Sequence, residues 1–197
     1  MLRILGSVDP LVILKDWLGK AQKNKQLKNS WAMNLCTSDK GQPSARIVLF
    51  KYFRGDSLVF FSNYLSRKGQ NLQNNAQGAA TFYWENPGRQ IRIEGKVKKI
   101  PRKESVAYWG TRSRESQLSQ WLSQQSQPVL NRRTLDALKI EVKQRFKGGP
   151  VPCPSHWGGY ALSIQRMEFW MEKNHRLHDR FLFKKRKGGW AIQRLFP

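Results

Sequence analysis

The amino-acid sequence predicts a mainly β fold, antiparallel, with flanking helices at the start and in the middle. Three observations predict it. From Trp31 onward the chain breaks into short extended runs. These runs are separated by turn signals at Ser38-Asp39-Lys40-Gly41, Arg54-Gly55-Asp56 and Asn86-Pro87-Gly88. In Arg89–Ile100, Gln90, Arg92 and Glu94 alternate with Ile91 and Ile93, the period of two that gives a strand one buried and one polar face. Many short antiparallel strands use their edges most economically by closing, or nearly closing, into a barrel.

Taken in order, Asp9-Pro10 reads as an N-cap followed by proline at the first helical position. Leu11, Leu14 and Leu18 then share a face, which predicts a helix over 10–28. Strands are expected at Trp31–Thr37, Ala45–Phe53 and Leu58–Ser62. Ser66 caps a short helix running to Asn75. Two more strands, Gly78–Glu85 and Arg89–Ile100, follow. A helical insertion occupies 102–147, with Pro101 to Trp121 in two pieces and then Asn131–Phe146, where Leu135, Leu138, Val142 and Phe146 share a side. From Trp157 the pattern returns to strands, with Lys187-Gly188-Gly189 turning between Phe181–Lys185 and Trp190–Leu195.

The chain reads as one domain, 1–197, long enough to bury a core. Hydrophobic residues at 39% and aromatics at 12% exclude a disordered chain. Lys and Arg number 36 against 13 Asp and Glu, a net charge of +23 that attracts anions without naming them. Cys36 and Cys153 belong to no paired motif, so a reducing, cytoplasmic setting is expected. No apolar run approaches the ~20 residues a membrane helix needs, and the stretch before Asp9 is short for a signal peptide.

Absent motifs narrow the chemistry. There is no GxxxxGK[ST] loop, no GxGxxG after a strand, no HExxH and no GxSxG. What remains is cations at structured positions. Arg46 and Lys51 bracket the apolar run Ile47-Val48-Leu49-Phe50. Arg67-Lys68 opens a helix, where a cation opposes the helix dipole unless an anion sits there. On a helix, Tyr108, Arg112 and Ser116 would share one face and suit a phosphate. On a strand, Arg176, His178 and Arg180 would point to one side and repel one another without an anion between them.

These residues together resemble the pyridoxamine 5′-phosphate oxidase family. The matching motifs are Arg46-Ile47-Val48-Leu49-Phe50-Lys51, Ser66-Arg67-Lys68, Arg89-Gln90 and Tyr108…Arg112-Ser113-Arg114-Glu115-Ser116-Gln117. Further on they are Trp121…Gln125-Ser126, Pro154-Ser155-His156-Trp157-Gly158-Gly159, Glu168-Phe169-Trp170, Arg176-Leu177-His178-Asp179-Arg180 and Arg194-Leu195-Phe196-Pro197.

The resemblance implies an antiparallel FMN-binding split β-barrel and a homodimer with FMN at the interface. It implies FMN contacts from Arg46, Ile47, Val48, Leu49, Phe50, Lys51, Phe61, Ser62, Arg67, Lys68, Gln90, Gln125, Ser126, Trp170 and Arg180. It assigns substrate to Lys51, Tyr108, Arg112, Ser116, Arg176 and His178, the last two nearest the reacting carbon. The implied reaction is oxidation of pyridoxamine or pyridoxine 5′-phosphate to pyridoxal 5′-phosphate, with O2 reduced to H2O2. Two departures stand out: Phe61-Ser62 replaces a common Tyr-Thr pair, and Met1–Val8 is short for the basic arm many members carry.

Other readings are an oxidase of another ring substrate, as in the phenazine-pathway relatives, and a flavin or pyridoxal phosphate carrier without turnover. A basic nucleic-acid module fits poorly, because the cations sit at separate motif positions and not in one run, apart from Lys184-Lys185-Arg186-Lys187.

Overall fold

The computed structural model describes residues 9–197, and the reading of Met1–Val8 as a short arm lies outside them. Helix α1 spans Pro10–Lys23, with the Asp9 carboxylate accepting from Leu11 N at 2.9 Å. It stops short of the expected Lys28. Asn24 adopts extended backbone, and its side chain accepts from Gln26 N and donates to the Asn86 carbonyl. A short amide that bonds nearby backbone offers the chain an alternative to helix. Leu14, Trp17, Leu18 and Ala21 form the buried face, and Trp17 meets Phe169 edge-on at 5.2 Å.

Among the described residues nine strands form one antiparallel sheet: β1 Ala32–Asp39, β2 Gln42–Leu49, β3 Tyr52–Arg54, β4 Ser57–Asn63, β5 Gln77–Trp84, β6 Arg89–Lys99, β7 Trp157–Met171, β8 Asp179–Arg186 and β9 Gly189–Leu195. The main order is β2-β1-β5-β6-β7-β4-β3. The split lies in β7. Its first half pairs β4, its second half pairs β8, and β6 follows both halves. The β6–β7 register shifts between Glu94 and Gly95. Glycine is required there, since a Cβ on Gly95 would lie 1.8 Å from the Ser163 carbonyl oxygen.

The run Ala45–Phe53, expected as one strand, is two. Phe50 N donates to the Trp31 carbonyl and Lys51 N to that of Val59. The chain therefore leaves β1 and joins β4 within two residues, which brings the two ends of the strand order toward one another. Phe50, 2% exposed, is buried at this corner against Phe53. Its side chain therefore belongs to the core.

Helix α2 spans Arg67–Asn74. The predicted insertion contains α3 Arg102–Gly110, α4 Arg114–Leu122 and α5 Arg132–Arg145. Helix α5 buries no residue fully, and Phe146 beyond it packs on Trp121 at 5.2 Å. Among the described residues no helix is long and apolar enough to cross a membrane. Cys36 and Cys153 are free thiols.

Candidate functional site

A cleft of about 570 Å³ opens where β2, the end of β4, the start of α2 and the Gln125-Ser126 loop meet. Among the described residues its walls hold five cations, Arg46, Lys51, Arg67, Lys68 and Arg112, and no carboxylate. Concentrating like charges in a partly dry cleft is unfavourable unless an anion joins them.

Two cations are built in with particular care. Arg46 projects from β2 opposite Leu35, donating to the Leu35 carbonyl at 3.1 Å, Thr37 Oγ1 at 2.9 Å and Ser44 Oγ at 2.8 Å. Neutral acceptors hold it without cancelling its charge, and burial draws its pKa down. Lys68 is 7% exposed and donates to Ser66 Oγ at 3.0 Å and Gln125 Oε1 at 2.8 Å. Burial first, then the Arg46 charge, pushes its pKa down to about 8. Ser66 Oγ also caps α2 by accepting from Gly69 N, and itself donates to the Asn63 carbonyl at 2.7 Å.

Opposite stands an aromatic wall. Phe61 lies nearly parallel to Tyr108, centroids 3.9 Å apart, and to Trp157 at 5.1 Å. The Arg112 guanidinium sits 5.0 Å from the Trp157 ring. Its Nη2 donates to the Ser116 carbonyl at 3.2 Å, while its Nε is buried with no partner among the described residues. A buried donor without a partner, on a side chain that lines a cationic cleft, is unfavourable unless an acceptor joins it.

The expected helical face of Tyr108, Arg112 and Ser116 is corrected here. The helix breaks between Gly110 and Arg114, because Ser113 caps α4. Arg112 falls in the break and reaches the cleft. Tyr108 supports Phe61 from behind, and the Ser116 hydroxyl accepts from Ser113 Oγ at 2.8 Å. Neither Tyr108 nor Ser116 lines the cleft.

A second group lies elsewhere. Gln90, Trp170 and Arg180 form one row across β6, β7 and β8. The expected single strand face of Arg176, His178 and Arg180 is also corrected. Asn174–Arg176 forms a 3₁₀ turn, His175 and Arg176 have φ of 55° and 60°, and β8 begins only at Asp179. The β7–β8 connection must reverse the chain, and residues with positive φ achieve this. His178 accepts from Lys173 N through Nδ1 at 3.2 Å and packs on Trp170 at 4.6 Å. Arg176 is exposed.

Of the expected cofactor residues, Arg46, Ile47, Val48, Leu49, Lys51, Phe61, Ser62, Arg67, Lys68, Gln125 and Ser126 line the cleft. Gln90, Trp170 and Arg180 do not, and neither do Arg176 and His178. Sequence reasoning gave no site role to Ser44, Asn63, Gln120 and Trp157, which also line it. Trp157 had a signal in Ser155-His156-Trp157-Gly158-Gly159. Gln120 had none, since its place depends on how α4 docks.

The fold and the cleft together define a split-barrel protein with a cation-lined cleft. Residues 20–145 match the family model described as pyridoxamine 5′-phosphate oxidase, and residues 157–197 match the pyridoxine 5′-phosphate oxidase C-terminal dimerisation region. Pyridoxine/pyridoxamine 5′-phosphate oxidases of Salmonella paratyphi B and Salmonella newport are 42% identical over 190 residues, covering 96% of this chain and 87% of theirs. The crystal structure of PhzG from Burkholderia lata 383 in complex with tetrahydrophenazine-1-carboxylic acid superposes with a TM-score of 0.89 at 28% identity, covering 96% of this chain and 93% of that one. A pyridoxamine 5′-phosphate oxidase-related, FMN binding protein from Nostoc punctiforme shares the fold, with a TM-score of 0.75 at 17% identity over 97% of this chain and 99% of that one. The chain belongs to the pyridoxamine 5′-phosphate oxidase family.

Proposed function

We propose that this chain is an FMN-dependent oxidase that converts pyridoxamine and pyridoxine 5′-phosphate to pyridoxal 5′-phosphate. It works as a homodimer with FMN at the subunit interface, and a cytoplasmic setting fits its two free thiols. The observation that carries this reading is the cleft itself, which among the described residues has five cations, no carboxylate, and an Arg112 Nε buried without a partner. Such a site suits phosphorylated aromatic molecules, because the walls supply Phe61 and Trp157 beside the charges.

The residues present fit the cofactor. Arg46 on β2, with Arg67 and Lys68 at the start of α2, would hold its phosphate. Gln125 and Ser62 supply neutral polar groups beside them, joined to each other at 3.4 Å. When bound, FMN would supply the hydride acceptor for oxidation at the substrate C4′ carbon, with O2 as the final electron acceptor. Pyridoxine 5′-phosphate plus O2 gives pyridoxal 5′-phosphate plus H2O2. The amine substrate consumes one water as well and releases ammonia.

This chain's own work is binding and orientation. Lys51 and Arg112 anchor the substrate phosphate, and that remote binding energy aligns the reacting carbon. Arg176 and His178 approach it from the β7–β8 loop of the partner subunit, as Gln90, Trp170 and Arg180 approach the flavin. This arrangement accounts for two groups that stay apart in one chain. Exposed Ile47 and Leu49 on edge strand β2, 65% and 46% exposed, give the partner an apolar surface.

The test is spectroscopic. Purified protein should be yellow, and anaerobic pyridoxine 5′-phosphate should bleach it. A yellow protein that does not bleach points to another ring substrate, and a protein that cannot be loaded with FMN refutes the reading.

A further inference from the structure

Glu168 is a buried acid that the cleft does not explain. It lies on β7 between Arg92 of β6 and Leu182 of β8, and is 5% exposed. A carboxylate removed from water costs free energy unless it is paired, and this one is paired twice. Its Oε1 accepts from Arg180 Nε at 2.8 Å, and its Oε2 accepts from Arg92 Nη1 at 3.5 Å. Arg92 also approaches Glu94 at 3.8 Å and is the more exposed of the two arginines. The shorter and drier contact is therefore with Arg180.

Arg180 is gripped a second time, because its Nη1 donates to the Phe196 carbonyl at 3.1 Å. Nη2 has no hydrogen-bond partner among the described residues. The guanidinium is thus fixed through Nε and Nη1, with one edge left over. It stands in the row it shares with Trp170 and Gln90.

We infer that Glu168 is a positioning residue for the flavin: it locks the Arg180 guanidinium so that its free Nη2 edge is presented to FMN. The inference rests on the proposed placement of Arg180 toward FMN. The physical reason is preorganisation. A free arginine loses rotamer freedom on meeting a ligand, whereas one already held by a buried carboxylate loses less at that moment. An ion pair serving only to join β7 to β8 would also bury Glu168, but it would not couple to cofactor binding.

A double-mutant cycle separates the two roles. FMN dissociation constants are measured by quenching of flavin fluorescence for the wild type, Glu168→Gln, Arg180→Gln, the double variant and Arg92→Gln. Thermal melting of each apoprotein is recorded alongside. Glu168→Gln should weaken FMN about tenfold in the wild-type background and less than about twofold when Arg180 is already Gln. Arg92→Gln, which touches the same carboxylate from outside the row, should change FMN affinity less than about twofold.

Equal losses in both backgrounds, or a loss in Arg92→Gln matching that of Glu168→Gln, would overturn the inference. If Arg180→Gln weakens FMN while Glu168→Gln does not, the inference fails and the placement of Arg180 survives. If Arg180→Gln leaves FMN affinity unchanged, that placement fails and the inference with it. Should Glu168→Gln not fold, Glu168→Asp keeps the charge but draws it back by one methylene, and the same cycle applies.

Discussion

If Lys68 holds the FMN phosphate as proposed, cofactor affinity should depend on pH. In the free protein its ammonium has a pKa of about 8, against an ordinary value of 10.5. The folded-state value is depressed, so the unfolded chain binds more protons between those two pH values. Folding stability from this group is therefore lowest below pH 8 and rises toward pH 10.5. A bound phosphate reverses the effect by favouring the charged form. If it restores the ordinary value, FMN binding takes up about half a proton at pH 8 and weakens about tenfold, or ~1.4 kcal/mol, between pH 7 and pH 9. The phosphate itself titrates near pH 6, below this window. Isothermal titration calorimetry at pH 8, in buffers of different ionisation enthalpy, reads the proton uptake directly. Fluorescence titration from pH 7 to 9 reads the affinity. Lys68→Gln should bind FMN more weakly at pH 7 and show a flat profile. A flat wild-type profile, or an undiminished slope in Lys68→Gln, would refute the reasoning.

Other outcomes follow from the same geometry. Arg112→Ala removes the orphaned Nε and its guanidinium, and should raise KM for the phosphorylated substrate roughly 10- to 100-fold while leaving the FMN dissociation constant within about twofold; steady-state kinetics and flavin titration check both. Arg176→Ala should lower kcat/KM more than about tenfold and leave FMN retention intact, because Arg176 lies on the loop and outside the cleft. Equal loss of both functions would contradict its assignment. Gly95→Ala places a methyl against the Ser163 carbonyl and should cost about 1–3 kcal/mol, a fall in Tm of roughly 3–10 °C by calorimetry.

The sheet was legible in the sequence wherever alternation and turn chemistry agreed. Strand β6 was expected over Arg89–Ile100 and runs Arg89–Lys99, because period two and Asn86-Pro87-Gly88 point the same way. Three places were not legible, each for a physical reason. Ala45–Phe53 is one apolar run, yet Phe50 and Lys51 bond to different neighbours, a long-range choice that no local pattern encodes. Tyr108, Arg112 and Ser116 have helical spacing, but a cap at Ser113 outweighs it. Arg176 to Arg180 alternates like a strand, although part of it must turn the chain back toward β8. The cleft residues were recognisable as cations lacking acids. Whether they meet Gln90, Trp170 and Arg180 could not be read from spacing, since the two groups lie on different parts of the sheet.

The forked strand β7 has a consequence for how defects combine. Trp157 at its beginning lines the cleft, while Trp170 near its end stands in the row with Arg180 and Glu168 pairs with the Arg180 side chain. Trp170 lies thirteen positions beyond Trp157, a span of roughly 40 Å in extended chain. In the proposed dimer each β7 is therefore a ruler laid between two reaction centres, serving one with each end. A subunit damaged only in its cleft and a subunit damaged only in its row would each be inert with a copy of itself. Mixed one to one and reassembled, they would form hybrid dimers in which one centre is wholly intact and the other wholly spoiled. Activity would return to about a quarter of the undamaged level, the arithmetic of an isologous pair that shares its working parts across the twofold axis.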